Sequence, residues 1–318
     1  MARWVRVVRK WQEAERIFGF ELEDPAGDGL PSFQPGAHID VHLPGGITRQ
    51  YSLCGLPSES RRYHIAVQRE VNSRGGSERF CATIHEGDML GISEPRNHFP
   101  LVSAEATLLL AGGIGITPLI CMAEQLAHAG ASFELHYCTQ TQGRTAFRER
   151  IAASKYCNST FFHFDDGDPS QRLDIDSVLK DPQASRHLYV CGPPGFLEFV
   201  RSRAREHAWG AGNVHFEYFA APSNETRDET QSFELVSARS GRTVIVGKDE
   251  SALDALVRMG IDVPRSCEAG VCGTCLTNVV EGTPDHRDCF LSDEERAANT
   301  LFLPCCSRSR SARLVLDV

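Results

Sequence analysis

Over the first hundred residues, apolar positions recur in short runs: Trp4–Val8, Phe18–Leu22, His38–Leu43 and Tyr63–Gln68, separated by Pro-Gly and Pro-Gly-Gly turns. Runs of this length bounded by turn residues predict strands, and their regular spacing predicts a small antiparallel barrel. The texture changes at Ala106. Thr107–Leu110 reads as a buried strand that enters Ala-Gly-Gly-Ile-Gly-Ile-Thr-Pro and then a helical stretch, Leu119–His128. A strand at Phe133–Thr139, a helical stretch near Ala146–Ala152 and a strand at Leu188–Cys191 continue the alternation, which predicts a parallel α/β sheet. Ala220–Gln231 is polar and aperiodic and carries a proline, the marks of a linker. Beyond it, strand-like runs at Phe233–Ala238 and Thr243–Val246 flank a Ser-Gly turn, and Leu253, Leu256 and Val257 mark one face of a short helix. The expected architecture is multidomain: an antiparallel β-barrel over residues 1–102, an α/β parallel-sheet domain over 103–222, a linker at 223–231 and a third domain over 232–318.

Composition narrows the class. The 318 residues are 41% hydrophobic and 24% charged, the proportions of a globular protein, and no apolar stretch is long enough to span a bilayer. The basic start, Met1–Lys10, has no apolar run or cleavage site behind it and reads as a first strand, not a signal peptide. A net charge of −9 argues against a general nucleic-acid binder, which needs a basic face. Twelve cysteines in a chain this long, with no export signal, are expected as thiols or metal ligands in a cytoplasmic protein and not as a disulfide scaffold.

The most specific signal is the spacing of four of those cysteines. Cys267, Cys272 and Cys275 form C-x₄-C-x₂-C, and Cys305 follows after a long gap, the plant-type [2Fe–2S] pattern. Each iron needs two thiolates, so the chain must wrap the cluster tightly and return once from a distance. The small residues Ala269, Gly270, Gly273 and Thr274 let backbone N–H groups approach the sulfurs. A structural zinc site would pair two close cysteine couples instead. Cys306 is the alternative fourth ligand, with Cys305 preferred. The segments Arg265–Cys275 and Pro304–Arg308 resemble the cluster loop and last-ligand segment of plant-type ferredoxins, and that family implies a β-grasp ferredoxin domain from about Phe233 onward.

Three further motifs bear on chemistry. Arg49-Gln50-Tyr51-Ser52 supplies a cation for a phosphate, an aromatic ring for a flavin face and hydroxyl and backbone donors. Arg74-Gly75-Gly76-Ser77 can form a backbone nest for an anion, or merely a flexible turn. Gly112-Gly113-Ile114-Gly115-Ile116-Thr117-Pro118 lies between a predicted strand and a predicted helix, where helix N-terminal amides can face a pyrophosphate; it lacks the G-x-G-x-x-G spacing. Cys191-Gly192-Pro193 follows another strand at the same sheet edge.

Together these motifs resemble the ferredoxin–NADP⁺ reductase superfamily and, within it, the phthalate dioxygenase reductase family, because the ferredoxin-like domain comes last. The resemblance implies an antiparallel β-barrel flavin domain, an α/β nicotinamide domain and the ferredoxin domain. It implies FMN held by Arg49, Gln50, Tyr51 and Ser52, with Ala66, Val67 and Gln68 beside the ring and Gly75, Gly76 and Ser77 on the phosphate. NADH would be held by Gly112, Gly113, Gly115, Thr117, Thr139, Cys191, Gly192 and Pro193. Ser52, Thr117, Cys191 and Phe219 would stand at the site of hydride transfer, Phe219 covering the flavin where nicotinamide enters. Phe161–Gly167 also resembles the family. The implied function is a monomeric reductase passing electrons from NADH through FMN and the cluster to a Rieske-type terminal oxygenase.

Overall fold

The computed structural model describes residues 3–43, 47–59, 61–70, 76–219 and 231–318. They fall into two compact units that part between Phe219 and Ala220. The expected linker Ala220–Gln231 lies outside the described residues except for Gln231.

In the first unit, strands β1 (Arg3–Ala14), β2 (Ile17–Glu23), β3 (His38–Leu43), β4 (Ile47–Ser52), β5 (Arg62–Gln68) and β6 (Met89–Ile92) form an antiparallel sheet ordered β4-β3-β6-β1-β2-β5. A bridge between Leu53 and Ile65 joins the two outer strands, so the sheet closes into the expected barrel. Alternate residues point inward, as the two-residue period requires: Val5 and Val7, Phe20 and Leu22, Ile39 and Val41, Ile65 and Val67 are all buried. β1 runs past the expected Val8, because Trp11 still pairs with Gly19 across a long hairpin. Helix α1 (Gly76–Thr83) lies against the barrel, Phe80 meeting Phe20 and Tyr51 edge-on.

The second sheet of this unit is wholly parallel: β7 (Ala106–Gly112), β8 (Ser132–Thr139), β9 (Thr160–Phe164), β10 (Arg186–Gly192) and β11 (Val214–Tyr218), ordered β11-β10-β7-β8-β9. Helices α2 (Ile116–His128) and α3 (Arg148–Ala152) share one core with Leu109, Leu135 and Tyr189. Helices α4 (Ile175–Leu179) and α5 (Pro194–Glu206) bury Leu108, Leu110, Leu188 and Val190 on the other face. Coverage of both faces explains why β7 and β10 read as unbroken apolar runs. Cys54, Ala66 and Phe99 belong to the same core as α2, so barrel and parallel sheet are packed together.

The second unit has a mixed sheet of β12 (Phe233–Ser237), β13 (Thr243–Val246), β14 (Thr277–Glu281), β16 (Leu301–Phe302) and β18 (Arg313–Leu316), ordered β13-β12-β18-β14-β16. A short ladder pairs β15 (Pro284–Asp285) with β17 (Arg308–Ser309). Helix α6 (Ala252–Arg258), capped by the Ser251 hydroxyl, buries Leu253 and Leu256 against Leu235, Phe302 and Leu314. Helix α7 (Asp293–Ala298) opens with a capping box between Ser292 and Glu295. A mixed sheet packed on one helix is the expected β-grasp arrangement. Among the described residues, no helix is long and apolar enough to cross a membrane.

Candidate functional site

The cysteine loop joins α6 to β14, and Cys305 sits between β16 and β17. Three left-handed residues coil the loop: Glu268 (φ 50°), Gly270 (φ 72°) and Gly273 (φ 68°). A Cβ on Gly273 would stand 2.2 Å from the Phe290 ring, and one on Gly270 would stand 2.4 Å from the Cys306 sulfur, so both places demand glycine. The Ala269 N–H donates to Cys267 Sγ and the Thr274 N–H to Cys272 Sγ, each at 3.4 Å. These are the backbone donors that the small residues were expected to bring to the sulfurs.

The thiols gather as two couples. Cys267 is hydrogen-bonded to Cys272, which holds the Cys272 thiol low and pushes Cys267 up; Cys275 is hydrogen-bonded to Cys305, and its thiol is pushed up. The Cys305 sulfur also meets its neighbour Cys306. Cys306 reaches the Leu303 carbonyl and the Ser307 hydroxyl, both at 3.8 Å, and fills the space beneath Gly270. Among the described residues, no group of three or more His, Cys, Asp or Glu side chains is placed to hold a single metal ion. Two thiolate couples suit two bridged irons, each taking one couple, and not one tetrahedral zinc.

The nicotinamide motifs converge at a topological break. The chain steps outward from β7 through β8 to β9, then returns to the far side of β7 as β10. In open parallel sheets, ligands bind outside the carboxyl ends of the strands at such a reversal. Gly112 ends β7 and Gly192 ends β10, so both glycine loops lie there. Their glycines serve each other first. A Cβ on Gly115 would stand 2.2 Å from the Cys191 carbonyl oxygen, and one on Gly192 would stand 3.0 Å from Gly112 Cα. Gly113 alone of this group has a positive φ (53°) and nothing within 4 Å of its absent side chain. Thr117 is buried and donates to the Ile114 carbonyl at 3.0 Å, while the Thr139 hydroxyl meets Thr145 at 2.7 Å.

Register adds a residue that local sequence could not single out. Cys191 on β10 pairs with Glu217 on β11. Burial pushes the Glu217 carboxyl up to about 8, and its Oε2 has no hydrogen-bond partner. Burial, then the neighbouring Glu217 charge, pushes the Cys191 thiol well up. Phe219, two residues beyond Glu217 and 38% exposed, follows the same strand. A raised carboxyl pKa costs stability that begins at the ordinary carboxylate pKa, grows with pH, and is complete near 8. Glu217→Gln is therefore expected to gain on wild type by a few degrees in Tm as pH rises from about 5 to about 8, then hold that lead. Thermal unfolding across a pH series checks this, and a constant difference would mean that the carboxyl is not sequestered.

The barrel supplies the flavin motifs. Arg49 lies across the start of α1, where a Cβ on Gly76 would stand 2.4 Å from its Nε. A guanidinium beside the free amides of a helix N-terminus suits a phosphate. The Ser77 hydroxyl accepts from the Glu70 N–H at 3.2 Å. Gly75 lies outside the described residues. The Tyr51 hydroxyl is buried without a partner, and burial pushes its pKa far up. An orphaned phenol beside a cationic cradle fits a bound group that hydrogen-bonds it. Gln50 points elsewhere: its amide donates to Asp40 at 3.0 Å and meets His38 at 3.3 Å. Ser52, Ala66 and Val67 are buried, and Gln68 donates to Glu70.

Comparison with known proteins agrees with this geometry. A 2Fe-2S iron-sulfur cluster binding domain matches residues 236–310, and an oxidoreductase NAD-binding domain matches residues 109–202. The vanillate O-demethylase oxidoreductase of Pseudomonas putida is 49% identical over 314 residues, 98% of each chain. The solved phthalate dioxygenase reductase, described as a modular structure for electron transfer from pyridine nucleotides to [2Fe–2S], is 40% identical with a TM-score of 0.79, over 100% of this chain and 98% of that one. An intact type IV self-sufficient cytochrome P450 monooxygenase is 36% identical with a TM-score of 0.84, over 100% of this chain and 41% of that one. The fold and its sites define a nicotinamide-dependent iron–sulfur flavoprotein oxidoreductase. Its NAD-binding and iron–sulfur domains call for a nicotinamide dinucleotide and a [2Fe–2S] cluster. The chain belongs to the phthalate dioxygenase reductase family.

Proposed function

We propose that this chain is the reductase component of a Rieske-type oxygenase that acts on a methoxylated aromatic acid. The observation that carries the choice is the 49% identity over 98% of both chains with a vanillate O-demethylase oxidoreductase, against 40% with phthalate dioxygenase reductase. Residues 1–102 would serve the flavin, 103–222 the nucleotide and 232–318 the cluster, as a monomer in the cytoplasm that meets its oxygenase only in passing. Such redox encounters use small interfaces.

In this reading a flavin held by the barrel would supply the chemistry that links two-electron hydride transfer to single-electron transfer. Arg49, Gly76 and Ser77, with Gly75, hold its phosphate; Tyr51 hydrogen-bonds it through the orphaned hydroxyl; Ser52, Ala66, Val67 and the Gln50 and Gln68 backbone border the ring. Gly113 leaves room for the nucleotide, and the Gly112, Gly115, Gly192 and Pro193 loops frame it. Thr117 and Thr139 fix the backbone beside it. Cys191 and Glu217 line the nicotinamide end, and Phe219 shields the ring from water until nicotinamide displaces it. Hydride transfer then needs positioning more than proton transfer by an acid–base pair. Cys267, Cys272, Cys275 and Cys305 would hold the cluster.

Denaturation of the purified protein is expected to release FMN, since the cradle offers one phosphate site and no recognisable adenine segment. Chromatography of the released flavin checks this, and FAD would refute it. The partner is tested by reconstitution: with NADH, the chain should drive a vanillate-demethylating oxygenase faster than a phthalate dioxygenase or a reductase-free P450. The P450 arm is included because the self-sufficient monooxygenase carries a module of this fold within one chain. Preference for the P450 would overturn the Rieske assignment.

A further inference from the structure

We propose that Asp288 is a positioning residue for the iron–sulfur cluster: it straps the cysteine loop to the segment that bears Cys305 and, as a buried carboxylate, keeps the cluster's reduction potential low. The proposal rests on Cys267, Cys272, Cys275 and Cys305 being the residues that hold that cluster.

The strap grows out of the short β15–β17 ladder. Asp285 pairs with Arg308 there, so the chain leaving β15 runs antiparallel to the chain entering β17. The Arg287 N–H donates to the Ser307 hydroxyl at 3.1 Å, two residues past Cys305. The Cys289 N–H donates to the Gly270 carbonyl at 2.9 Å, inside the C-x₄-C turn. The Gly270 N–H is in turn hydrogen-bonded to the Cys305 sulfur. A Cβ on Gly270 would stand 3.0 Å from Asp288 Cα, so the strap lies directly against the loop.

Asp288 locks this arrangement. Its side chain is fully buried. Oδ2 accepts the Phe290 N–H at 3.1 Å and the Leu291 N–H at 2.9 Å, and Oδ1 accepts the Ser307 hydroxyl at 3.4 Å. The first of these fixes Phe290, whose ring lies over Gly273 between Cys272 and Cys275. One carboxyl group thus reaches both halves of the cysteine loop and the last-ligand segment. The flanking cations hold it loosely. Arg296 and His286 each stand 3.8 Å from it, beyond hydrogen-bond range, and Arg296 donates instead to the Asp288 carbonyl at 2.7 Å. A carboxylate buried without a close counter-ion costs stability, so folding alone does not account for it. Charge and hydrogen bonding beside a cluster are what tune its potential, and a negative charge disfavours the added electron.

The test compares Asp288→Asn and Asp288→Ala in the full-length, cofactor-loaded chain, reading bound iron, the electron paramagnetic resonance spectrum and the cluster's midpoint potential. Asparagine keeps the strap, since its oxygen accepts both N–H groups while its NH₂ donates to the Ser307 hydroxyl. It is expected to hold iron as wild type does and to show a raised potential, with a larger fraction of cluster reduced in the same redox buffer. Alanine removes the strap and is expected to hold iron against a chelator at least about tenfold less tightly, as loss of an outer partner of a metal ligand does. The proposal is overturned by an unchanged potential or a lost cluster in Asp288→Asn, or by full iron retention in Asp288→Ala; if the alanine variant fails to fold, the asparagine variant decides alone. Cys305→Ser runs beside them: unchanged iron and spectrum there would sink the ligand set and this proposal with it, whereas iron lost there with both Asp288 variants unchanged sinks the proposal alone.

Discussion

Cys272→Ser is expected to yield a protein whose flavin NADH still bleaches and which no longer delivers electrons to an oxygenase. Cys272 is buried, is hydrogen-bonded to Cys267 and accepts the Thr274 N–H. A serine hydroxyl there is far harder to deprotonate than a thiol and sits on a shorter bond. Even an outer partner of a metal ligand is worth ~10–100-fold in affinity or activity, so loss of a ligand should cost at least the upper figure in coupled turnover. The flavin half should survive because the second unit has its own core, Phe233, Leu235, Leu253, Leu256, Phe302 and Leu314, and divides from the first at residue 219. Stopped-flow mixing with NADH reads the flavin, and visible absorbance with electron paramagnetic resonance reads the cluster. Simultaneous loss of flavin reduction would show that the two units do not fold separately.

Gly115→Ala is expected to damage the nucleotide end of the molecule as severely as a truncation in the core would. Gly115 has an ordinary helical φ of −62°, so its backbone conformation does not require glycine. Space does. The added methyl would stand 2.2 Å from the Cys191 carbonyl oxygen and 2.6 Å from the Gly192 nitrogen, and backbone of a central strand cannot step aside as a side chain can. Overpacking of this kind costs about 1–3 kcal/mol, and here it also pushes the two loops apart. KM for NADH should rise by roughly tenfold or more, given how steeply reactivity falls with a displacement of ~1 Å. Gly113→Ala is the comparison for stability: its Cβ meets no protein atom, so the fold suffers only the strain of φ 53°, while the methyl enters the room left for the nucleotide. A loss of Tm no larger in Gly115→Ala than in Gly113→Ala would remove loop-to-loop contact as the reason for Gly115.

How far the fold could be read depended on whether its signal was local. Alternating runs such as His38–Leu43 appear with the bounds expected, and Cys267, Cys272 and Cys275 are close in sequence because the loop that wraps a cluster must be short. Strand β4 escaped notice because its residues, from Ile47 to Tyr51, are all half-buried and show no clean alternation. Helix α5 begins at Pro194-Gly195, a pair that reads as a turn, although proline is well suited to the first turn of a helix. Glu217 is the instructive omission. Within His215–Phe219 it is one acid among aromatics, and only the pairing of β10 with β11 brings it to Cys191. The glycine loops were legible as a place but not in their working. Gly112, Gly115 and Gly192 are small because loop meets loop, a fact that no single stretch of sequence contains.

Strand β18 has a bearing on how the molecule is made. It occupies the centre of the second unit's sheet, with β12 on one side and β14 on the other, yet it is the last of these strands to leave the ribosome. Its partner residue for Leu314 is Leu235, nearly the whole unit earlier in the chain. Until residues 313–316 emerge, the two halves of the sheet, β13-β12 and β14-β16, have nothing between them. The sheet beneath the cysteine loop is therefore complete only once the whole unit has been synthesised, whereas the flavin barrel, whose strands all precede Ser93, can close long before.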